Sequence, residues 1–202
     1  MDKALERLQA QNDTVRALIK ALDLTVPGEG GHSERVSVYA VATGERMGMG
    51  PEELIHLRRG AALHDVGKLG LNRHLLHKIG ELTEAEMDEI RLHAILAMRV
   101  IESLPWLEPA LPMIIHHHER WDGRGYPDGL RGKEIPLGAR IIAVAETYDV
   151  LTSPSCWKQW MQDFDALEEI RRCRGTQFDP EVVDAFEQIA PLVQPVLAAE
   201  SS

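Results

Sequence analysis

Apolar residues recur along this chain at spacings of three and four, the repeat that gathers them on one face of an α-helix. Leu5, Leu8, Asn12, Val15, Ile19 and Leu22 follow one another at intervals of 3, 4, 3, 4 and 3, a heptad seam with one asparagine in it. It predicts an N-terminal helix over residues 1–24 and leaves two uses open. A single core asparagine sets register in two-stranded coils, so one use is a parallel homodimer. The other is an amphipathic helix packed on its own domain, since three heptads are few. Pro27-Gly28-Glu29-Gly30-Gly31 then breaks the helix before His32.

Val36, Tyr39, Ala40, Thr43 and Met47 form the next stripe. Pro51, a good first-turn residue, opens a helix carrying Leu54, Leu57, Ala61 and His64. Thr83 with Glu86 is a capping box, and the helix it opens has a buried face of Ile90, His93, Ala97, Val100 and Leu104. Further helices are predicted from about Pro109 to Arg120, Pro136 to Leu151, Ala166 to Cys173 and Pro180 to Ala190. Period-two alternation is nowhere sustained, so the expected class is all-α. The organisation is an N-terminal helix over 1–24, one domain over 25–192 and a C-terminal tail over 193–202. Within the domain, Trp121 to Ile135 is long, irregular and rich in Gly and Asp. Such loops carry function more often than their share.

Composition narrows the classes. A chain of 202 residues, 44% hydrophobic, suffices for one well-buried core. No apolar run approaches the roughly 18 to 20 residues of a membrane span, and the N-terminus lacks a secretory pattern, so a soluble cytoplasmic protein is expected. Cys156 and Cys173 fit neither a metal-ligand spacing nor a disulfide framework and are expected as free thiols. The net charge of −10 argues against DNA as a partner.

The chemistry-bearing residues are His64-Asp65-Val66-Gly67-Lys68 and, about fifty residues on, His117-His118-Glu119-Arg120-Trp121-Asp122-Gly123-Arg124-Gly125-Tyr126-Pro127. Imidazoles and carboxylates at several separated positions are what a pair of divalent transition metals requires. Adjacent on a helix, His64 and Asp65 diverge by about 100°, so one holds a metal while its neighbour bridges to a second. Lys68, one turn on, is placed to meet a phosphate and stabilise its developing charge. In the run His116-His117-His118, a helical wheel sets His117 and His118 beside the apolar Ile114 and turns His116 away.

In this order the residues resemble the HD-GYP domain, a branch of the HD metal phosphohydrolases. The resemblance runs from about Ala21 to Phe186. It includes Gly31-His32-Ser33-Glu34-Arg35-Val36, the His64-Asp65 doublet with Gly67-Lys68, His93, His117-His118-Glu119, Gly125-Tyr126-Pro127, Ile135-Pro136-Leu137-Gly138-Ala139-Arg140 and Gln177-Phe178-Asp179-Pro180. It implies an all-α HD-domain helical bundle, here preceded by the N-terminal helix, that hydrolyses cyclic di-GMP to linear pGpG and sometimes on to GMP. It also implies His32, His93 and Glu146 as ligands beside His64, Asp65, His117 and His118. Gly125-Tyr126-Pro127 looks like the family's recognition loop, where an exposed Tyr126 would stack on a guanine and Arg124 would add a phosphate or base contact. Lys158 matches a phosphate-binding lysine. His56, His74 and His77 lie outside these motifs.

Three positions depart from the family pattern. Glu146 stands where an aspartate ligand is usual, with Asp149 kept one turn on. Gly28 occupies the position of a glutamate that helps some members hold a third metal, with Glu29 one residue late. Ser155 replaces an arginine. Two divalent metals per chain are therefore expected, iron or manganese; with about −2 from Asp65 and Glu146 against +4 from the metals, the loaded site attracts an anionic dinucleotide. The expected function is a cyclic di-GMP phosphodiesterase with Asp65 and Lys68 catalytic. The alternatives are a catalytically weak HD-GYP module that binds nucleotide or signalling-protein partners, and an HD phosphohydrolase acting on another nucleotide.

Overall fold

The computed structural model describes residues 3–153 and 161–200. In chain order its helices are α1 (Lys3–Thr25), α2 (Glu29–Arg46), α3 (Pro51–Leu63), α4 (Arg73–Leu76), α5 (Glu84–Arg91), α6 (His93–Ile101), α7 (Leu111–Ile115), α8 (Leu137–Thr152), α9 (Asp163–Arg172) and α10 (Pro180–Glu200). Single 3-10 turns cover Val66–Gly70, Pro105–Ala110 and Gly132–Glu134. Among the described residues there is no strand, only an isolated bridge between Arg174 and Phe178, so the fold is all-α as expected. No helix among them is long and apolar enough to cross a membrane.

Helix α3 is shared by two apolar clusters. Its Leu57 and Ala61 pack with Val36 and Tyr39 of α2, Ile141, Ile142 and Tyr148 of α8, and Val182 and Phe186 of α10. Ala62 and Leu63, turned by about 100° per residue, pack instead with Ile19 of α1, Val66, Ala97 and Ile101, and with Leu107 and Ile114. The helix is thus the wall between two halves of the core. Its C-terminal end, carrying His64 and Asp65, emerges where the halves meet.

Several elements differ from the sequence expectation. In α1 the seam divides: Ile19 and Leu22 are buried on the chain's own domain, whereas Leu5 and Leu8 are 59% and 40% exposed. The break after α1 is also shorter than Pro27–Gly31. Gly28 takes a positive φ of 98°, which a glycine adopts freely. The Asp23 carboxylate then accepts the N–H groups of Gly28 and Gly30 at 3.0 and 2.9 Å. Helix α2 therefore starts at Glu29, and His32 lies in its first turn.

The helix expected from the Thr83–Glu86 capping box forms that box but divides at Leu92 into α5 and α6. The helix expected over Pro109–Arg120 ends at Ile115, so His116, His117 and His118 lie beyond it and helical periodicity does not set their directions. At the C-terminus, α10 runs through to Glu200. Residues 193–200 are helix rather than a tail because the apolar repeat continues past Ala190: Val193 packs on the core, Leu197 is buried and Gln194 accepts the Tyr39 hydroxyl.

Candidate metal centre

Three histidines of the site lie one or two residues past a helix end, and each satisfies a carbonyl in the last turn of the helix before it. His64 Nδ1 lies 2.8 Å from the Ala61 carbonyl, His93 Nδ1 2.8 Å from Ile90 and His117 Nδ1 2.6 Å from Ile114. The last carbonyls of a helix lack intrahelical donors, so a following imidazole N–H is a natural cap. The same contact fixes the tautomer: Nδ1 carries the proton and Nε2 keeps its lone pair. His32 follows the same logic with a different partner, its Nδ1 lying 2.7 Å from Asp149 Oδ2.

The freed nitrogens converge. Donor atoms of His93, His117 and His118 lie within 4.8 Å of one another, as do those of His32, His64 and Glu146. Asp65 stands between the groups, with Oδ1 3.3 Å from His93 Nε2 and Oδ2 3.3 Å from His64 Nε2. The structure thus brings together all seven expected ligands: one from α2, two at the end of α3, one opening α6, two after α7 and one on α8.

These residues fit a metal. His93 Nε2 and His117 Nε2 face each other at 3.5 Å; with both protons on Nδ1, neither donates to the other, and a shared cation resolves the conflict. His64 Nε2 is buried with only the long 3.3 Å approach of Asp65 Oδ2 beside it, the condition a ligand atom meets before it binds. Burial, followed by the nearby histidines, pushes His117 and His118 below the ordinary imidazole range, keeping them neutral. Burial opposes charge on His64 too, but the Asp65 carboxylate raises it to about 9, so a cation there replaces a proton. Asp65 is buried, yet Lys68 and His64 outweigh that burial and hold its carboxyl well below the usual range.

The HD-domain profile matches residues 16–182. The chain belongs to the HD-domain family. Relatives of this HD domain include the cyclic di-GMP phosphodiesterase response regulator RpfG of Xanthomonas campestris, 36% identical over 88% of this chain and 48% of the relative. Another is the 3'3'-cGAMP-specific phosphodiesterase 3 of Vibrio cholerae, 36% identical over 89% of this chain and 39% of that protein. The chain spans about half the length, or less, of the curated relatives it matches. In fold it is similar to a cyclic GMP-AMP specific phosphodiesterase of V. cholerae, with a TM-score of 0.69 at 23% identity over 91% of this chain and 50% of that one. It is also similar to the HD domain of the L. monocytogenes phosphodiesterase PgpH in complex with cyclic-di-AMP, with a TM-score of 0.62 at 19% identity over 87% and 95%.

Around these candidate ligands, the remaining motif residues form a frame for the 121–135 loop. Arg140 pairs with the buried Asp179, Arg120 Nη1 donates to Gln177 Oε1 at 3.0 Å, and the N–H groups of Trp121 and Asp122 reach the carbonyls of Gln177 and Thr176. Gly125 lies so close to Glu119 and Arg120 that a Cβ would overlap their backbone. Tyr126 is half-buried, not exposed: its ring stacks on His118 at 4.8 Å, and the Arg91 guanidinium lies 5.6 Å from its centroid. Arg124 is exposed, and the Tyr126–Pro127 bond is cis. His116 sits outside the ligand groups, 3.8 Å from Glu119. Cys173 is a half-buried free thiol. Ser155, Cys156 and Lys158 lie outside the described residues.

Sequence reasoning missed Glu29, Arg91 and Arg35. Although one residue late for the family position, Glu29 forms a third donor group with His32 and Asp65. Its signal was the spacing from His32, which lies three residues on and therefore on the same helical face. Arg35 donates Nε and Nη2 to Asp149 at 2.6 and 2.9 Å, fixing the carboxylate that fixes His32.

Proposed function

We propose that this chain is a metal-dependent phosphodiesterase that opens cyclic di-GMP to the linear dinucleotide. The observation that carries this reading is the convergence of the His32, His64, His93 and His117 imidazoles, each with its Nδ1 already engaged, about a carboxylate that faces two groups at once. In it, His32, His64 and Glu146 would hold one metal and His93, His117 and His118 a second, with Asp65 available to either group. Iron or manganese suits this imidazole and oxygen set. Such metals supply activation of water and neutralisation of charge on a phosphoryl group.

The chain's own residues do the rest. Asp149 and the three helix-end carbonyls orient the imidazoles before any ligand binds, so little reorganisation remains. Lys68, held as an ammonium by Asp65 and Glu29 against the cost of burial, brings a fixed positive charge to the rim where a phosphate would sit. Tyr126 and Arg91 form the neighbouring wall, with Gly125 and Pro127 shaping it and Arg124 outermost. Lys158 is assigned a phosphate contact on the resemblance alone.

The substrate is taken as cyclic di-GMP because relatives from three organisms bear that name, at 34–36% identity. The hybrid cyclic GMP-AMP is the second reading, favoured by a relative of equal identity named for it. Purified protein of known metal content, incubated with each dinucleotide and resolved by chromatography, tests both. Linear pGpG is the expected product. Turnover of 3'3'-cGAMP alone would move the substrate, and no turnover of either with two metals bound would leave a binding module.

A further inference from the structure

Between α1 and α3, on the far side of α3's own sequence from His64, lies a groove of about 510 Å³, within the roughly 300–1,000 Å³ of small-molecule sites. Lys3, Arg7 and Gln11 recur every four residues along its α1 bank, and Glu52, His56 and Arg59 follow at intervals of four and three along its α3 bank. The most buried of these is Arg59, 8% exposed. Its guanidinium lies 4.8 Å from the centroid of the Trp106 ring, Nη2 donates to Gln11 Oε1 at 2.8 Å, and Nη1 reaches the Trp106 carbonyl only at 3.5 Å. Arg35, Arg140 and Arg174 each have a carboxylate, whereas Arg59 forms no ion pair among the described residues. Burial accordingly lowers Arg59 below the ordinary guanidinium range with nothing to raise it, while Asp149 raises Arg35. A buried charge without a counter-ion is costly, so the groove is short of an anion.

We propose that this groove binds a terminal phosphate dianion, free or carried on a small molecule, with Arg59 as its buried anchor. Lys3, Arg7 and Arg59 line it against a single carboxylate, Glu52, an excess of two positive charges on a chain whose net charge is −10. That excess matches a doubly charged phosphate better than a carboxylate or a phosphodiester, each of which carries one charge. The guanidinium fork suits phosphate oxygens, and only two of the five N–H donors of Arg59 are engaged. Leu8 and Ile55, 40% and 43% exposed, line the same groove and give an apolar wall to the body that carries the phosphate. None of the candidate metal ligands lines it, so the site stands or falls apart from the metal-centre reading.

Trp106, against which the Arg59 guanidinium lies, supplies a local readout. The full chain is labelled with 5-fluorotryptophan, the Trp106 signal is assigned with Trp106→Phe, and 19F spectra are followed as inorganic phosphate, GMP, guanosine or acetate is added. Phosphate and GMP should each move the Trp106 signal to saturation; tighter binding of GMP identifies a carried phosphate, and equal binding a free one. Guanosine, without the phosphate, should not move it, and acetate, with a single charge, should bind about tenfold more weakly or worse than phosphate. Arg7→Gln, an exposed change that leaves the core intact, should weaken phosphate about fivefold, roughly the effect of one surface charge at contact distance. Arg59→Met should weaken it about tenfold or more; if that variant does not fold, Arg7→Gln decides. A Trp106 signal that neither phosphate nor GMP moves, or that moves with the same midpoint in Arg7→Gln as in wild type, overturns the site, the second result placing the phosphate elsewhere. Acetate binding as tightly as phosphate overturns the dianion. A signal that moves on dilution of the protein instead of with phosphate shows a second copy of the chain in the groove and overturns the proposal as well.

Discussion

Asp149 and His32 meet at 2.7 Å, carboxylate Oδ2 to imidazole Nδ1, and Arg35 grips the same carboxylate from its own side at 2.6 and 2.9 Å. Asp149 is thereby engaged outside the candidate donor groups and sets the tautomer of His32, a member of one. Asp149→Asn should weaken metal at the His32–His64–Glu146 group by roughly 10- to 100-fold, the usual effect of losing such a supporting carboxylate. Metal at the His93–His117–His118 group should stay, and metal titration read group by group checks it.

The same substitution carries a pH signature in metal-free protein. Burial raises the Asp149 carboxyl, but the bonds from His32 and Arg35 outweigh it and hold it below the usual carboxylate range. A lowered folded value means its stabilisation is complete above the unfolded value, about 3.9, and lost as pH falls through the folded value. Denaturant melts should therefore show Asp149→Asn less stable than wild type at pH 7, with the gap closing below about pH 4. A gap constant down to pH 2 would show that the carboxylate charge contributes nothing.

Gly67 presses the Val66–Gly70 turn against the start of α6, so closely that an added methyl would overlap the His93 carbonyl and crowd the Ala97 amide. Neither neighbour is a flexible side-chain end. Gly67→Ala should destabilise by about 3 kcal/mol, the upper range of overpacking, and should separate His93 from Asp65. Denaturation midpoint and metal content should fall together. A normal midpoint would mean the two segments slide apart freely.

Features set by local chemistry were legible in the sequence: the Thr83–Glu86 box, the Pro51 helix start, and His64-Asp65 at the end of an apolar stripe. What escaped is non-local. The helix ends before His93 and His117 come with ring-to-carbonyl contacts that a wheel does not represent. His117 and His118 reach the centre from a turn beyond α7, not from the helical face assigned to them. Glu29 was discounted by counting residues from His32, whereas the Gly28 turn starts a helix that carries it to Lys68. The Arg35–Asp149 tie spans 114 residues and has no sequence signature.

The division of the N-terminal seam separates two truncations. Removing residues 1–10 deletes the exposed Leu5 and Leu8 and should leave the melting temperature nearly unchanged. Removing residues 1–24 also takes Ile19 and Leu22 from the core, each worth about 1.5–3 kcal/mol of burial, and should lower it sharply. Light scattering on the same proteins tests the dimer. A dimer lost with residues 1–10 assigns the exposed leucines to a partner helix; an unchanged mass leaves the seam to internal packing.

His116 and His117 are neighbours with opposite surroundings. His117 is buried, with Nδ1 on the Ile114 carbonyl and Nε2 facing His93, whereas His116 lies beside Glu119 and Asp128. His117→Ala should lose metal from the His93 group, and His116→Ala should keep full metal. Equal losses at the two positions would mean that the turn after α7 is set differently.

Glu146 is a candidate ligand at a position where this chain departs from the family pattern, and it tests the centre most sharply. The longer side chain still brings a carboxylate oxygen within 4.8 Å of the His32 and His64 donors from its place on α8. Glu146→Asp withdraws that oxygen by about one methylene, which a small helix shift accommodates, so metal content should hold and turnover should change only moderately. Glu146→Ala removes an anionic ligand and should cost metal at the His32–His64 group and most of the activity. If the wild type is instead a weak catalyst, Glu146→Asp, alone or with Ser155→Arg, should raise hydrolysis above it. The measurement is linear product from cyclic di-GMP at matched metal content for all four proteins. Full wild-type activity that survives Glu146→Ala would remove Glu146 from the centre and leave His32 and His64 to hold their metal with Asp65.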